Sequence, residues 1–295
     1  MSRLLVLGRD GQVARALARA PSPFQVVNAG RARLDLGAPE PNIGALIDAE
    51  RPVAVVNAAA YTAVDAAESN AEAAWRLNCQ APEAIGRACA ERGLPLVHFS
   101  TDYVFDGEKG APYVESDPTG PVNAYARSKA DGETALLELA AASGLKLSIV
   151  RVAWVFSAGG GGFFDVMVRA AAERDEVSVV ADQWGSPTDA GTCASAAIAL
   201  ASALVEREGR AEGLFHACGA TGLARADFAE AIFRRLPRRP RLRRIASADY
   251  PTAARRPRDT RLDCARLDGA GLGWRAPALE QMLDLCFERD RAPAQ

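Results

Sequence analysis

Short apolar runs alternate with longer stretches of helical period along the first half of the chain. Residues 3–8 (RLLVLG) predict a strand, and Val13 and Leu17 in the following GQVARALARA share one helix face. Residues 24–30 (FQVVNAG) predict a second strand, 43–50 a helix and 52–60 (PVAVVNAAA) a third strand. A long helical pattern over 71–93 closes on a glycine, 95–101 (PLVHFST) is the next strand, and 124–144 is a helix ending at Gly144. Residues 146–156 (KLSIVRVAWVF) predict one more continuous strand. Nearly unbroken apolar strands alternating with helices are what a parallel sheet covered on both faces requires. The expectation is a doubly wound, Rossmann-type α/β fold over roughly the first 155 residues.

The remainder is less regular. It reads as a glycine-rich loop at 157–162, a strand and turn over 176–188, an apolar helix over 192–206, a strand over 213–219 and a helix over 224–236. A Pro- and Arg-rich stretch, 237–262, shows no clear period.

Composition narrows the class. The 295 residues are 49% hydrophobic and 24% charged, with a net charge of −2. That is a globular balance, and it asks for neither nucleic acid nor an anionic membrane. No apolar run reaches the ~18 residues of a membrane span, and the chain passes from Met1 straight into a strand-like run, so a cytoplasmic location is expected. Six scattered cysteines without a CxxC pair, and only two histidines, fit buried free thiols rather than a zinc or disulfide framework. No metal site is expected.

Two stretches carry candidate chemistry. In VLGRDGQVA (6–14), Gly8 and Gly11 follow a strand and open a helix, where backbone N–H groups can approach a pyrophosphate; Ala14 is small enough for the third glycine position. At the end of the second strand, Arg31 and Arg33 favour the extra phosphate of NADPH, while Asp35 leaves NADH open. In NAYARSK (123–129), Tyr125 and Lys129 are four apart and share a helix face. A phenol titrates near 10, and a neighbouring ammonium favours its ionised form, so the pair is expected to lower Tyr125 toward neutrality. The strand at 95–101 delivers Ser100 and Thr101 to the sheet edge where such folds bind ligands. Read alone, a Tyr-x-x-x-Lys spacing is equally a solvated lysine beside a half-buried tyrosine; the preceding glycine loop and Ser-Thr strand end give it meaning. The basic run 234–244 (RRLPRRPRLRR) holds seven arginines and reads first as solvated surface, with nucleic acid or a substrate diphosphate as the alternatives.

GRDGQVA, VNAAAYTAVDAAE (56–68), HFSTDYVFDG (98–107), NAYARSK, RVAWVFS (151–157), DQWGSPT (182–188) and ARRPRDTRL (254–262), in that order, resemble the dTDP-4-dehydrorhamnose reductase family of extended short-chain dehydrogenases/reductases. The resemblance implies NAD(P)H-dependent reduction of the 4-keto group of dTDP-4-dehydro-β-L-rhamnose to dTDP-L-rhamnose, the last step of dTDP-rhamnose biosynthesis. Carried over, Tyr125 protonates the carbonyl oxygen, Lys129 lowers its pKa and holds the nicotinamide ribose, and Thr101 hydrogen-bonds the substrate oxygen. Asp102, Tyr103 and Trp154 would touch the sugar, and Arg256 a phosphate. Gly8, Gly11, Gln12 and Val13 would surround the pyrophosphate, Asp35 and Leu36 the adenine, and Ala60, Tyr61 and Thr62 the cofactor cleft. Trp154 is equally plain core on its pattern, and Asp65 and Glu68 read as helix-starting acids.

The acids of a magnesium-linked dimer find no match, with Arg15 where an acid would serve, so Mg2+ is left open, as is monomer against homodimer. Another nucleotide-sugar epimerase/reductase, or a non-catalytic dinucleotide-binding regulatory subunit, are the competing readings. In the implied domain plan, 1–155 bind the dinucleotide, with 186–220 and 260–285 returning to that domain. Residues 156–185 and 221–259 form a small substrate-binding lobe.

Overall fold

The computed structural model describes residues 1–207 and 209–291. Alternation along the first strand sets up the layers. In β1 (Arg3–Leu7), Leu4 and Val6 face one apolar cluster and Leu5 and Leu7 the other. The same two-sided burial recurs in β3 (Ala54–Asn57), β4 (Leu96–Thr101) and β5 (Leu147–Val152). With β2 (Gln25–Ala29) and β10 (Gly213–His216), numbered in chain order, they form a six-stranded parallel sheet in the order β10-β5-β4-β3-β1-β2. On one face lie α1 (Gln12–Leu17) and α8 (Ala190–Val205); on the other lie α2 (Ile43–Glu50), α5 (Ala81–Ala90) and α6 (Ala124–Ser143). Strand order reverses at β1, which leaves a crevice outside the C-terminal ends of β1 and β3, the usual ligand position of such sheets.

A second cluster of elements packs around Phe156, Phe164 and Phe228. It contains β6 (Val155–Phe156), α7 (Phe163–Glu173), β7 (Glu176–Val180), the short strands β8 (Trp184–Gly185), β9 (Thr188–Asp189) and β11 (Leu223–Ala224), α9 (Arg225–Phe233) and β12 (Arg241–Ile245).

Four expectations change. The apolar run 146–156 is two strands: Trp154 takes a left-handed φ of +42°, and β6 leaves the main sheet to pair with β9. The helix over 71–93 carries a π-helical turn at Arg76–Gln80, between α4 (Ala71–Trp75) and α5. Within 237–262, β12 pairs in parallel with β7, and along the basic run 234–244 Arg234, Arg235, Arg238, Arg241 and Arg244 each meet a carboxylate, so most of its charge is paired at the surface. Lastly, α11 (Leu279–Arg291) buries Leu279, Met282, Leu283 and Cys286 in the Phe156–Phe228 cluster rather than under the sheet. Among the described residues no helix is long and apolar enough to cross a membrane.

Candidate active site

The glycine loop forms at the reversal of strand order. Gly8 sits at φ +124°, and a Cβ there would stand 3.3 Å from the Ala58 carbonyl, so only glycine lets the loops after β1 and β3 come this close. Gly11 is the cap residue of α1 and faces open space, where a Cβ would meet nothing within 4 Å. Asn28 of β2 braces the loop by donating to the Gly8 and Ala14 carbonyls, at 3.1 and 2.9 Å. Gln12 and Val13 open α1 half-buried; the Gln12 carboxamide accepts the Ser157 hydroxyl, and Arg15 donates to Gly159, so this loop is clipped to the 157–162 loop.

At the end of β2, Asp35 is exposed and takes the Gly37 N–H, with Arg31 3.7 Å away. Leu36 turns into the core cluster with Ala29 and Ile43. Arg33 is committed to Glu50. Arg9, which the sequence reading passed over, folds its stem across Gly30 at the mouth of β2. Ala60, Tyr61 and Thr62 follow β3 on the same edge. Buried Asn78 of the π-helical turn accepts the Tyr61 N–H at 2.8 Å and donates to its carbonyl at 3.0 Å, which fixes that strip.

Tyr125 and Lys129 lie one turn apart at the start of α6, both buried. Asn123 caps the helix by accepting the Ala126 N–H, while Glu68 of α3 (Val64–Ser69) accepts the Ala124 N–H. Thr101 ends β4 beside them, and its hydroxyl lies close enough to the phenol to favour the ionised form of Tyr125. That hydroxyl also donates to Asp102 at 3.2 Å, and the other Asp102 oxygen takes a short bond from Thr260. Tyr103 meets Tyr125 edge to face, with ring centres 6.2 Å apart.

The electrostatics differ from the sequence expectation. Lys129 does not lower Tyr125 here, because Nζ turns toward β4 and donates to the Phe99 carbonyl at 2.6 Å, with His98 Nε2 at 3.2 Å. Burial therefore dominates and holds the phenol above its ordinary 10. Burial also pulls Lys129 down to about 8, against the opposing field of Glu133. Asp102, fully desolvated, is pushed up to about 7 despite the hydroxyls that hydrogen-bond it.

After β5, half-buried Trp154 lies against Gly185, whose added Cβ would fall 2.2 Å from the indole. Arg225, at the start of α9, stacks over that ring, 4.0 Å from its centre. Its charge reaches Asp102 and Tyr103, yet among the described residues no carboxylate lies within ion-pair distance of it. Sequence periodicity offered only an Arg at a helix start. Arg256 is differently placed: its guanidinium fork is occupied by Asp65 at 3.0 and 2.7 Å, so an incoming phosphate meets a cation already paired. Asp65 and Glu68 thus do more than start α3, since they tie down Arg256 and the α6 N-terminus. Among the described residues no group of three or more metal-ligating side chains gathers.

Thr101, Tyr125 and Lys129 thus gather where β4 ends, one strand from the crevice beyond β1 and β3. A family profile described as the RmlD substrate binding domain matches residues 2–290. A dTDP-4-dehydrorhamnose reductase of Sinorhizobium fredii is 39% identical over 285 residues, covering 95% of this chain and 94% of its own. One from Burkholderia thailandensis is 43% identical over 267 residues, covering 86% and 88%. The crystal structure of the Bacillus anthracis dTDP-4-dehydrorhamnose reductase in complex with NADP superposes with a TM-score of 0.88 at 28% identity, covering 98% of this chain and all of that one. A profile match over nearly the whole length, on a parallel sheet with this crevice, shows that the chain belongs to the RmlD family of dTDP-4-dehydrorhamnose reductases.

Proposed function

We propose that this protein reduces the 4-keto group of dTDP-4-dehydro-β-L-rhamnose to the alcohol, giving dTDP-L-rhamnose, with NADPH as the preferred reductant. The observation that carries the reading is the convergence of Thr101, Tyr125 and Lys129 at the C-terminal end of β4, two strands from β1, whose end carries the Gly8 loop. The residues present fit a dinucleotide: Gly8 and Gly11 leave a side-chain-free floor where a pyrophosphate would rest. Gln12 and Val13 border that floor, Ala60, Tyr61 and Thr62 line the next strip, and Asp35 and Leu36 flank the adenine end. Arg31, joined by Arg9, is the cationic pair at the ribose-phosphate end; the NADP complex of the Bacillus anthracis relative supports this preference.

When bound, the reduced nicotinamide supplies the hydride to C4. The chain supplies the proton. Thr101 and Tyr125 hydrogen-bond the carbonyl oxygen, and the Tyr125 phenol protonates it as the C–H bond forms. The resulting phenolate is stabilised by the Lys129 ammonium, which also binds ribose hydroxyls once Nζ leaves the Phe99 carbonyl. Desolvation of Tyr125 keeps it protonated at neutral pH, which suits a group that must give a proton. The single Thr101 hydroxyl hydrogen is given to Asp102 in the ligand-free structure, so it must turn from Asp102 to the carbonyl oxygen as substrate binds. Tyr103 and Trp154 border the sugar, and Arg225 is the first candidate for the diphosphate, since Arg256 would have to leave Asp65 to join it.

Absorbance of NADPH at 340 nm, followed with dTDP-4-dehydro-L-rhamnose, tests the reading. Tyr125→Phe is expected to lose at least about a hundredfold in kcat. Unchanged turnover in that variant overturns the mechanism, and tight NADPH binding without any oxidation overturns the activity.

A further inference from the structure

The donors and acceptors behind Lys129 do not balance if its side chain is an ammonium. Asn57, buried at the end of β3, has its amide orientation fixed, because Oδ1 accepts the Ala59 N–H at 3.1 Å. Its Nδ2, which can only donate, then faces His98 Nδ1 at 3.1 Å. His98 Nδ1 must accept, so the neutral ring carries its hydrogen on Nε2. That hydrogen points at Lys129 Nζ, 3.2 Å away. An ammonium has three donors and no acceptor, and would set N–H against N–H. A free amine accepts from Nε2 and still donates to the Phe99 carbonyl.

The alternatives inside this core are costly. His98 is fully buried, and both burial and Lys129 disfavour its imidazolium form. Turning the Asn57 amide would strand the Ala59 N–H. The groups facing Nζ are few. Glu133, one turn along α6, favours the ammonium, but it is bound to Arg151. Tyr125 lies one turn back, β4 contributes His98, and Asn78 of the π-helical turn is spent on Ser128 and the Tyr61 backbone.

We infer that Asn57 and His98 are positioning residues that select the protonation state of Lys129: in the ligand-free protein they hold Nζ as a neutral amine against β4, and the ammonium forms when Nζ leaves His98 for the cleft. This rests on the reading that Lys129 serves Tyr125 in ketone reduction. The lysine thus has two positions, a parked amine and a working cation, and its proton is taken up as the site fills.

The two histidines make the test direct. In full-length protein labelled with 15N-histidine, ligand-free at pH 9, the ring nitrogens report tautomers. His216 Nδ1 faces the Asp263 carbonyl, 3.1 Å away, and is expected as the Nδ1–H form; His98 is expected as Nε2–H. One ring of each kind supports the inference, and two Nδ1–H rings overturn it. Asn57→Asp supplies a second reading. Its carboxylate would accept Nδ1–H and free Nε2 to accept from an ammonium, so the alkaline limb of kcat/KM for NADPH should move up by about one pH unit or more. A limb that stays in place, or a uniform loss at every pH, overturns the inference. Should that variant not fold, the wild-type spectrum decides. An Nε2–H ring in a protein without reductase activity strikes the proposed function alone; an Nδ1–H ring in an active enzyme strikes this inference alone.

Discussion

Glu133 offers the sharpest stability prediction. Its carboxylate receives three hydrogen bonds from Arg151 of β5, at 2.9, 3.2 and 2.6 Å, and both side chains are under 5% exposed. The guanidinium also covers Phe105, 4.9 Å from the ring centre. Glu133→Gln keeps the shape, removes the charge and turns one acceptor into a donor, leaving a buried cation uncompensated. Breaking such a pair costs about 3–5 kcal/mol. Unfolding entropy of about 2.1 cal/mol/K per residue over 295 residues gives about 0.6 kcal/mol/K. The expected fall in Tm is therefore about 5–8 °C, read by circular dichroism at matched scan rates. The double variant Glu133→Leu with Arg151→Met should recover most of that loss, because two desolvated charges are replaced by apolar groups. Glu133 also holds Lys129 up against burial, so in Glu133→Gln the lysine titrates lower and the alkaline limb of activity moves to lower pH. A Tm change under about 1 °C, or a double variant as unstable as the single, would refute the assignment of the pair as mutually compensated charge.

Two further predictions concern the cleft. Burial holds the Asp102 carboxyl at about 7 in the folded protein against 3.8 for the free group, so the folded state binds a proton that the unfolded chain does not, and stability contributed there is lost as pH rises from about 4 to 7. Asp102→Asn should flatten that slope and raise Tm relative to wild type at pH 8; an unchanged slope across pH 4–7 in thermal melts would rule it out. Gly185→Ala forces the Trp154 ring off its seat, and kcat/KM for the nucleotide sugar should drop roughly tenfold to a hundredfold while KM for NADPH holds. Equal losses toward both ligands would show that Trp154 does not border the sugar.

How far the sequence could be read depends on how local each cause is. The helix over 43–50, the strand end at Thr101 and the helix end at Gly144 follow from period and capping chemistry carried by neighbouring residues. The break at Trp154 does not: nothing in the period of 146–156 marks it, and the indole meets Gly185, 31 residues on, only in the folded chain. Arg256 reads as a free cation until Asp65, 191 residues earlier in the chain, closes on its fork. Arg225 reads as an ordinary helix-start residue until Trp154 comes beneath it. The spacing of Tyr125 and Lys129 predicted a shared face, and they share it. Where Nζ points was decided by the Phe99 carbonyl and His98, which no helical period encodes.

Tyr125, Lys129 and Glu133 form a stripe on one uninterrupted helix, anchored through Arg151 to the sheet, whereas Trp154, Gly185 and Arg225 come from three separate elements outside it, the turn after β5, β8 and the start of α9. On the proposed function, proton transfer and the Trp154 side of sugar recognition lie on separable parts of the molecule. Retargeting toward a different keto sugar should work by redrawing the second group while the first is left alone. Changes to the stripe, by contrast, would alter the turnover of every sugar alike.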